Sequence, residues 1–365
     1  MRTRAAIVEG PGQPFRLGEL EIDDPRPDEV LVRMRAVGLC HTDLTVAQML
    51  PAEMFPRVFG HEGAGVVEAV GDSVEGIRVG DHVVMSFRSC RTCQRCREGA
   101  VGYCEQTMAL NYMGYRMDGS ATYSRDGEPV SGSFFGQSSF SHYALGTADN
   151  VVVIDPATDL TEAAPFGCGF LTGAGAVLNV LDPGPDSSVV IYGAGAVGLA
   201  AVAAARARGV STVVAVDTQP SRLEHAAALG AVGVDPTDPA DGGLVDRIRE
   251  LTSGGATGAL DTTAVPEVIR QAVRALAPRA TLVVVGLGAP EFTLDAVDLM
   301  QNGKVVRGCI EGDADPQIVI PQLLEMSRSG ELPLGQLITT YPFEEINTAV
   351  ADVTAGSVVK PVLVF

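Results

Sequence analysis

No stretch of this sequence approaches the roughly 20 apolar residues that a helix needs to cross a bilayer, although 46% of its 365 residues are hydrophobic. The apolar runs are short and broken by glycine or proline, as in a well-packed globular chain. The opening MRTRAAIVEG carries two arginines but reaches Glu9 before an apolar region of signal-peptide length accumulates, so the cytoplasm is the expected location. Basic residues are scarce, with 26 Lys and Arg against 45 Asp and Glu and a net charge of -19. That field repels phosphate backbones and anionic bilayers, which removes nucleic acid and membrane from the expected partners and leaves small molecules. Internal repeats and low-complexity linkers are missing too, and the length suits two domains joined by packed segments with a cleft between them.

The cysteines carry the first positive signal. There are seven, and without a secretion signal their spacing is tested against metal ligation before disulfides. SCRTCQRCREGAVGYC sets Cys90, Cys93, Cys96 and Cys104 at C-x2-C-x2-C-x7-C. Each two-residue spacer turns the backbone enough to aim successive sulfurs inward at about 2.3 Å from one ion. A redox C-x-x-C or a set of buried thiols needs neither a third nor a fourth cysteine in register. A closed structural zinc lobe over about 88–106 is therefore expected, and its acidic setting, with no Cys/His finger pattern, argues against a nucleic-acid module. Cys40 in VGLCHTDL, His61 in GHEGAGVVEAVGDSV and Cys168 in GCGFLTG come from three separate loops. One histidine and two cysteines leave a fourth zinc position open, as catalytic zinc requires. Singly, each is more often packing than ligand.

The chain changes rhythm near residue 186. Before it, 5–8, 30–37, 64–70 and 82–86 are short and β-rich, with turn signals such as EGPGQP and DDPRPDE between them. After it, strands alternate with Ala-rich helices, as a parallel sheet with crossover helices requires. Two near copies, GAGAVL at 173–178 and GAGAVG at 193–198, compete as nucleotide loops. In the second, Gly193, Gly195 and Gly198 follow the β-branched run SSVVIY and open a helix, with Ala196 and Val197 in its first turn. The first glycine allows the tight turn, the second the approach of a pyrophosphate, and the third close packing of helix on strand. Asp217 closes the next strand 19 residues after Gly198, near the spacing of an acid that binds a ribose hydroxyl and repels a 2'-phosphate, which favours NAD over NADP. GAGAVL has Leu178 for the third glycine and no strand before it, so a helix over 170–180 is expected instead. His82, His142 and Cys309 have no partner in the sequence pattern and read as packing or surface residues, and His225 as an exposed helix residue.

GHEGAGVVEAVGDSV fits G-H-E-x2-G-x5-G-x2-V at Gly60, His61, Glu62, Gly65, Gly71 and Val74, and with it the chain resembles the zinc-dependent medium-chain alcohol dehydrogenases. The C-H-T-D segment, this signature, the four-cysteine lobe, the G-C-G segment, the nucleotide motif and the terminal VVKPVLVF follow the family's order along nearly the whole chain. FFGQSSFSHYAL, GCGFLTGAGAVLNVL and YPFEEINTAV look most like its aryl-alcohol (benzyl-alcohol) branch. The resemblance implies an α/β protein: a GroES-like β-rich catalytic domain at 1–169, a Rossmann NAD-binding domain with a doubly wound parallel sheet at 170–307, and a return segment at 308–365.

It also implies two zinc ions per chain, the catalytic one on Cys40, His61 and Cys168. Thr42 would take the substrate proton, Asp43 would orient His61, and Glu62 would sit beside the metal, either bracing it or ligating it transiently. Thr172, Arg222, Val285 and Lys360 join the cofactor contacts, with Thr172 near the nicotinamide. His41 stands where the family often has an arginine on the pyrophosphate, and Thr45 replaces the usual relay histidine, so His41 is also a candidate for proton transfer. Phe87, Phe134 and Phe135 match the alcohol pocket and suit a flat or unsaturated substrate, though core packing explains a phenylalanine equally well. The expected reaction is reversible hydride transfer between a primary aryl or allylic alcohol and NAD. General primary-alcohol or thiol-adduct formaldehyde oxidation, or tightly held NAD, are the alternatives, and a homodimer or homotetramer is expected.

Overall fold

A computed structural model describes residues 1–238 and 243–365. These form two compact units: Met1–Cys168 with Asp315–Leu324 and Ile338–Phe365, and Gly169–Ala314 with Glu325–Leu337. The single return expected at 308 is thus more broken, since 308–314 and 325–337 group with the second unit.

In the first unit, strands β1 (Arg2–Val8), β2 (Arg16–Ile22), β3 (Glu29–Gly38), β4 (Arg57–Val58), β5 (Gly63–Val70), β6 (His82–Met85), β7 (Tyr123–Arg125), β8 (Glu128–Val130), β9 (Tyr143–Thr147) and β10 (Val151–Val153) come before the chain leaves it. A five-stranded sheet runs β4-β1-β2-β7-β8. β2, with the burial pattern eiieBeB, is a half-exposed strand whose charged RLGELEI hides its alternation, which is why the sequence alone does not mark it. β3 is buried along almost its whole length because it is central, flanked by β5 and β9.

The second unit holds β11 (Ser188–Tyr192), β12 (Thr212–Val216), β13 (Val232–Val234), β14 (Ala256–Asp261), β15 (Leu276–Val284) and β16 (Val305–Gly308), all parallel in the order β13-β12-β11-β14-β15-β16. Runs such as SVVIY, buried at every position, are what a sheet covered on both faces demands. The order reverses direction between β11 and β14, and at such a switch point the carboxyl ends of the strands form a ligand crevice. The expected helix over 170–180 is present as Gly169–Gly175 continued by a wider turn, Ala176–Leu181. His225 lies in the helix Pro220–Ala228, half-buried rather than exposed. Cys309 is buried, which pushes its thiol up to about 12, and His142 packs edge-on against Phe343 and Phe365.

The chain then returns to the first unit through β17 (Ile338–Pro342) and β18 (Lys360–Val364), completing a second sheet β10-β6-β5-β3-β18-β17. β18 pairs antiparallel with β3 through Val362–Gly38, Leu363–Val37 and Val364–Ala36. Among the described residues no single helix is long and apolar enough to cross a membrane.

The glycine at 65 is fixed by the approach of β3 to β5, because a Cβ there would lie 2.3 Å from the carbonyl oxygen of Arg33. That oxygen belongs to backbone and cannot turn aside. Gly65→Ala is expected to destabilise the first unit by about 1–3 kcal/mol, the usual penalty for overpacking, seen as a lower midpoint in denaturant; an unchanged midpoint contradicts the close approach.

Candidate functional site

Cys40 caps the helix His41–Met49, and Asp43, three residues on, reaches back so that its Oδ2 accepts the Cys40 N–H at 3.1 Å. This reciprocal capping arrangement is written locally in CHTD. The other oxygen of Asp43 accepts the Gly60 N–H at 3.0 Å and meets His61 Nδ1 at 2.8 Å. In the neutral imidazole, the form that binds metal, Nδ1–H donated to Asp43 leaves the His61 lone pair on Nε2, an atom that is buried and without a hydrogen-bond partner. Gly60 makes the turn at φ +93, where a Cβ would strike the Phe140 nitrogen at 2.4 Å. Cys168 follows the short helical turn Ala164–Gly167. The ligand atoms of Cys40, His61, Glu62 and Cys168 all lie within 4.8 Å of one another.

The electrostatics favour a cation in this group. The Cys40 thiol is held well below its usual range by its hydrogen bond with Cys168, against the opposing effect of burial. His61 is driven well above its ordinary value, because Asp43 and Cys40 outweigh the burial that opposes its charge. Burial pushes the Glu62 carboxyl up to about 7 even though Lys360 pulls the other way. Two thiols and one oriented imidazole with an orphaned Nε2 form a three-donor set that fits zinc with a fourth position to spare, the Glu62 carboxyl standing beside it.

Lys360 is completely enclosed, and its Nζ is engaged by Glu62 and by the Leu39 carbonyl at 3.2 Å. This lysine, expected on the cofactor, is therefore the counter-ion of Glu62 in this structure. Thr42 is half-buried and His41 exposed at the helix start. Phe135 lies against His61 with ring centroids 4.6 Å apart, and Phe134 meets the same ring edge-on at 5.5 Å. Tyr112 closes the cluster at 5.3 Å from Phe135. Phe134 is wholly buried and Phe87 nearly so. Behind them, Arg57 stands over the Phe59 and Phe134 rings and donates to the Tyr112 carbonyl at 2.7 Å. Neither Tyr112 nor Arg57 has a spacing signal in the sequence; both reach the site only through the fold.

In the cysteine lobe, Cys90, Cys93, Cys96 and Cys104 also bring their sulfurs within 4.8 Å. The N–H groups of Cys90 and Gln106 donate to Cys104 Sγ at 3.2 and 3.4 Å, and that of Cys93 to Cys90 Sγ at 3.2 Å. Backbone donors aimed at sulfur favour the thiolate, the form that binds metal, and the Cys90 thiol is lowered, while burial outweighs them at Cys104 and raises its thiol. Arg91, inside the lobe, is paired with Asp315 and donates to the Asp149 carbonyl at 3.2 Å.

At the carboxyl end of β11, Gly193 turns with φ +91, and a Cβ on Gly198 would lie 1.8 Å from the Gly193 carbonyl oxygen. Gly195 has nothing within 4 Å of where its Cβ would be, open space of the kind a pyrophosphate needs over a helix N-terminus. Ala196 and Val197 begin the helix Ala196–Ala207. Asp217 pins this turn, accepting the Ala194 N–H at 2.7 Å and the Gln219 N–H at 2.9 Å, with Arg222 at 3.6 Å. Val285 is tied to Asp261 through a backbone bond of 3.0 Å. The hydroxyl of Thr172 donates to Glu311 at 3.2 Å, a buried acid that no motif marks. The residues present fit a dinucleotide.

The zinc-binding dehydrogenase domain matches residues 196–328, and the alcohol dehydrogenase GroES-like domain residues 26–156. Over 366 residues the chain is 43% identical to a geraniol dehydrogenase from Castellaniella defragrans, covering 99% of this chain and 97% of that one. Two solved structures superpose with a TM-score of 0.95, each covering 100% of this chain and 99% of the other: an alcohol dehydrogenase zinc-binding domain protein from Burkholderia ambifaria at 43% identity, and benzyl alcohol dehydrogenase from Acinetobacter calcoaceticus at 39%.

Asp43 makes one group of donors depend on a single carboxylate. Asp43→Asn offers one acceptor oxygen in place of two and is expected to weaken metal retention at Cys40, His61 and Cys168 by about 10- to 100-fold. Metal analysis after dialysis against a chelator should show loss from this group with the four-cysteine lobe still filled; equal retention at both contradicts the orienting role.

Proposed function

The chain belongs to the zinc-binding alcohol dehydrogenases, and from that premise we propose that it oxidises a primary aryl or allylic alcohol to its aldehyde, reversibly, with NAD. The observation that carries the substrate class is the aromatic cluster beside His61, in which Phe135 lies tilted against the imidazole and Tyr112 meets Phe135 edge-on. A planar or unsaturated carbon next to the reacting alcohol stacks on such a surface, whereas a short aliphatic one leaves it unfilled. The similarity to geraniol and benzyl alcohol dehydrogenases supports the same class.

Cys40, His61 and Cys168 hold one zinc in this reading, and Cys90, Cys93, Cys96 and Cys104 a second, structural one. Bound there, zinc would supply a Lewis acid for the alcohol oxygen and NAD the hydride acceptor. Thr42 would relay the proton that leaves the alcohol oxygen, accepting it on its hydroxyl oxygen while giving its own hydroxyl proton on towards water or the neighbouring His41 imidazole. Asp43 keeps the His61 Nε2 lone pair turned towards Cys40 and Cys168, where the ion would sit. The thiolates of Cys40 and Cys168 would temper the positive charge of a bound ion. Glu62 and Lys360 balance each other's charge in the surrounding shell. On the other unit, Gly193, Gly195 and Gly198 admit the pyrophosphate, and Asp217 accepts from the ribose hydroxyls with Arg222 beside it. Val285 and Thr172 line the nicotinamide end in this reading.

The same reading puts the protein in the cytoplasm, where seven cysteines with no disulfide among them suit a reducing compartment. It also makes the protein a homo-oligomer. β16 is an edge strand of the second unit's sheet, and Val297, Met300 and Val305 near it expose 56%, 73% and 46% of their surface; an edge of that kind calls for a cover.

Benzyl alcohol and geraniol are expected to give kcat/KM at least about 10-fold above ethanol and above S-hydroxymethyl thiols, the discrimination that one apolar group confers. NADH should be released during turnover. A preference for ethanol or for the thiol adduct, or turnover without NADH release, overturns the substrate or cofactor assignment respectively. Asp217→Ser should lower the preference for NAD over NADP by removing the charge that repels a 2'-phosphate; an unchanged ratio refutes that role.

A further inference from the structure

Gln137, 1% exposed, has no place in the chemistry described so far, yet its side chain is the junction of the segments that carry the proposed metal ligands. Its Nε2 donates to the His61 carbonyl at 2.9 Å and to the Ser86 carbonyl at 3.0 Å, and its Oε1 accepts the Gly63 N–H at 3.1 Å. The two peptide groups on either side of Glu62 are thereby held by one amide. Ser86, wholly buried at the end of β6, passes the restraint on: its hydroxyl donates to the carbonyl of Gly167, the residue before Cys168, at 2.6 Å.

The loop that presents Gln137 is built to hold it still. Ser133, Phe135, Gly136 and Ser138 all have positive φ, at 61, 51, 67 and 52°, and three of these four are not glycine. Left-handed residues of that kind persist only where surrounding bonds over-determine them. Here Asn150 donates to the carbonyls of Phe135, Gly136 and Ser86, each at 3.2 Å, and Ser138 bridges the Phe134 N–H at 2.8 Å and the Val58 carbonyl at 2.7 Å. The loop that carries Phe134 and Phe135 is therefore the loop that carries Gln137.

We propose that Gln137 is a positioning residue that sets the backbone of His61 directly and of Cys168 through Ser86, so that the aromatic cluster and the metal ligands are registered by one buried amide. The inference rests on the zinc dehydrogenase reading. Hydrogen bonds behind a metal's ligands fix their direction, and losing one weakens metal affinity by about 10- to 100-fold.

The test uses the full chain and zinc competed against a chromogenic chelator, which separates the two metal affinities. Gln137→Glu keeps the shape but sets oxygen against the His61 and Ser86 carbonyls; Gln137→Met keeps the bulk and removes both donors. Each is expected to weaken zinc at the Cys40 group by about 10- to 100-fold, to leave the four-cysteine affinity unchanged, and to lower kcat with little change in KM for NAD. A side chain that merely packs would lower the denaturation midpoint and leave both affinities alone, and that result overturns the proposal. If neither variant folds, Ser86→Ala, which deletes one hydroxyl, should loosen zinc at the Cys40 group through Gly167; unchanged affinity there also overturns it. An unaltered chain that oxidises alcohols and holds zinc at Cys40 keeps the functional reading intact whatever the variants do, whereas one that binds no zinc there removes both.

Discussion

The placing of Cys40 and His61 hangs on one carboxylate taken fully out of water. Asp43 receives N–H groups from Cys40, Gly60 and His61, and a buried charge of this kind is tolerable only when its oxygens are satisfied. Satisfying them brings together a helix start, a left-handed turn and an imidazole that are otherwise independent. Local and distant structure are thus solved by the same three bonds. The helix begins where it does because Asp43 caps it, and His61 faces as it does because Asp43 leaves it no other tautomer.

Two layers surround that carboxylate. One is charged: Glu62 and Lys360 are buried together, 298 positions apart, and each would be prohibitive without the other. The other is neutral and made of amides and hydroxyls, running from Gln137 through Ser86 to Gly167 and from Asn150 to the loop that carries Phe134 and Phe135. The neutral layer spaces backbone, where geometry matters more than charge. In the nucleotide unit the same economy recurs, because Asp217 both ends a strand and holds the glycine turn through Ala194.

What could be read in the sequence was whatever is local in the chain. The capping of Cys40 by Asp43 spans three residues, the cysteine lobe fifteen, and the strand, glycine turn and helix around GAGAVG about twenty. Each leaves a spacing. The parallel strands were visible because burial on both faces makes their composition uniform, while β2 escaped notice because RLGELEI carries charge on its open face. The pairing of Glu62 with Lys360, of Thr172 with Glu311, and of Gln137 with His61 joins residues separated by tens to hundreds of positions, and no periodicity encodes such contacts. Lys360 shows the limit well: its place in VVKPVLVF marks it as functional, but only the fold reveals that its immediate partner is a carboxylate.

The insertion of β18 beside β3 imposes an order on the making of the protein. Cys40, His61 and Cys168 are all synthesised in the first half of the chain, yet β3 keeps an open edge at Ala36–Gly38 until Val362, Leu363 and Val364 arrive to pair with it, and the Glu62 carboxylate has no counter-ion until Lys360 comes with them. At about 5–20 residues per second, the nearly 200 residues that follow Cys168 keep a ribosome occupied for roughly ten to forty seconds. During that interval Glu62 is without its counter-ion and β3 without part of its edge pairing. The Cys40 group thus sits in a sheet that is closed only by the last strand of the chain, whereas the four cysteines of the lobe are all present by residue 104, while most of the protein is still unmade.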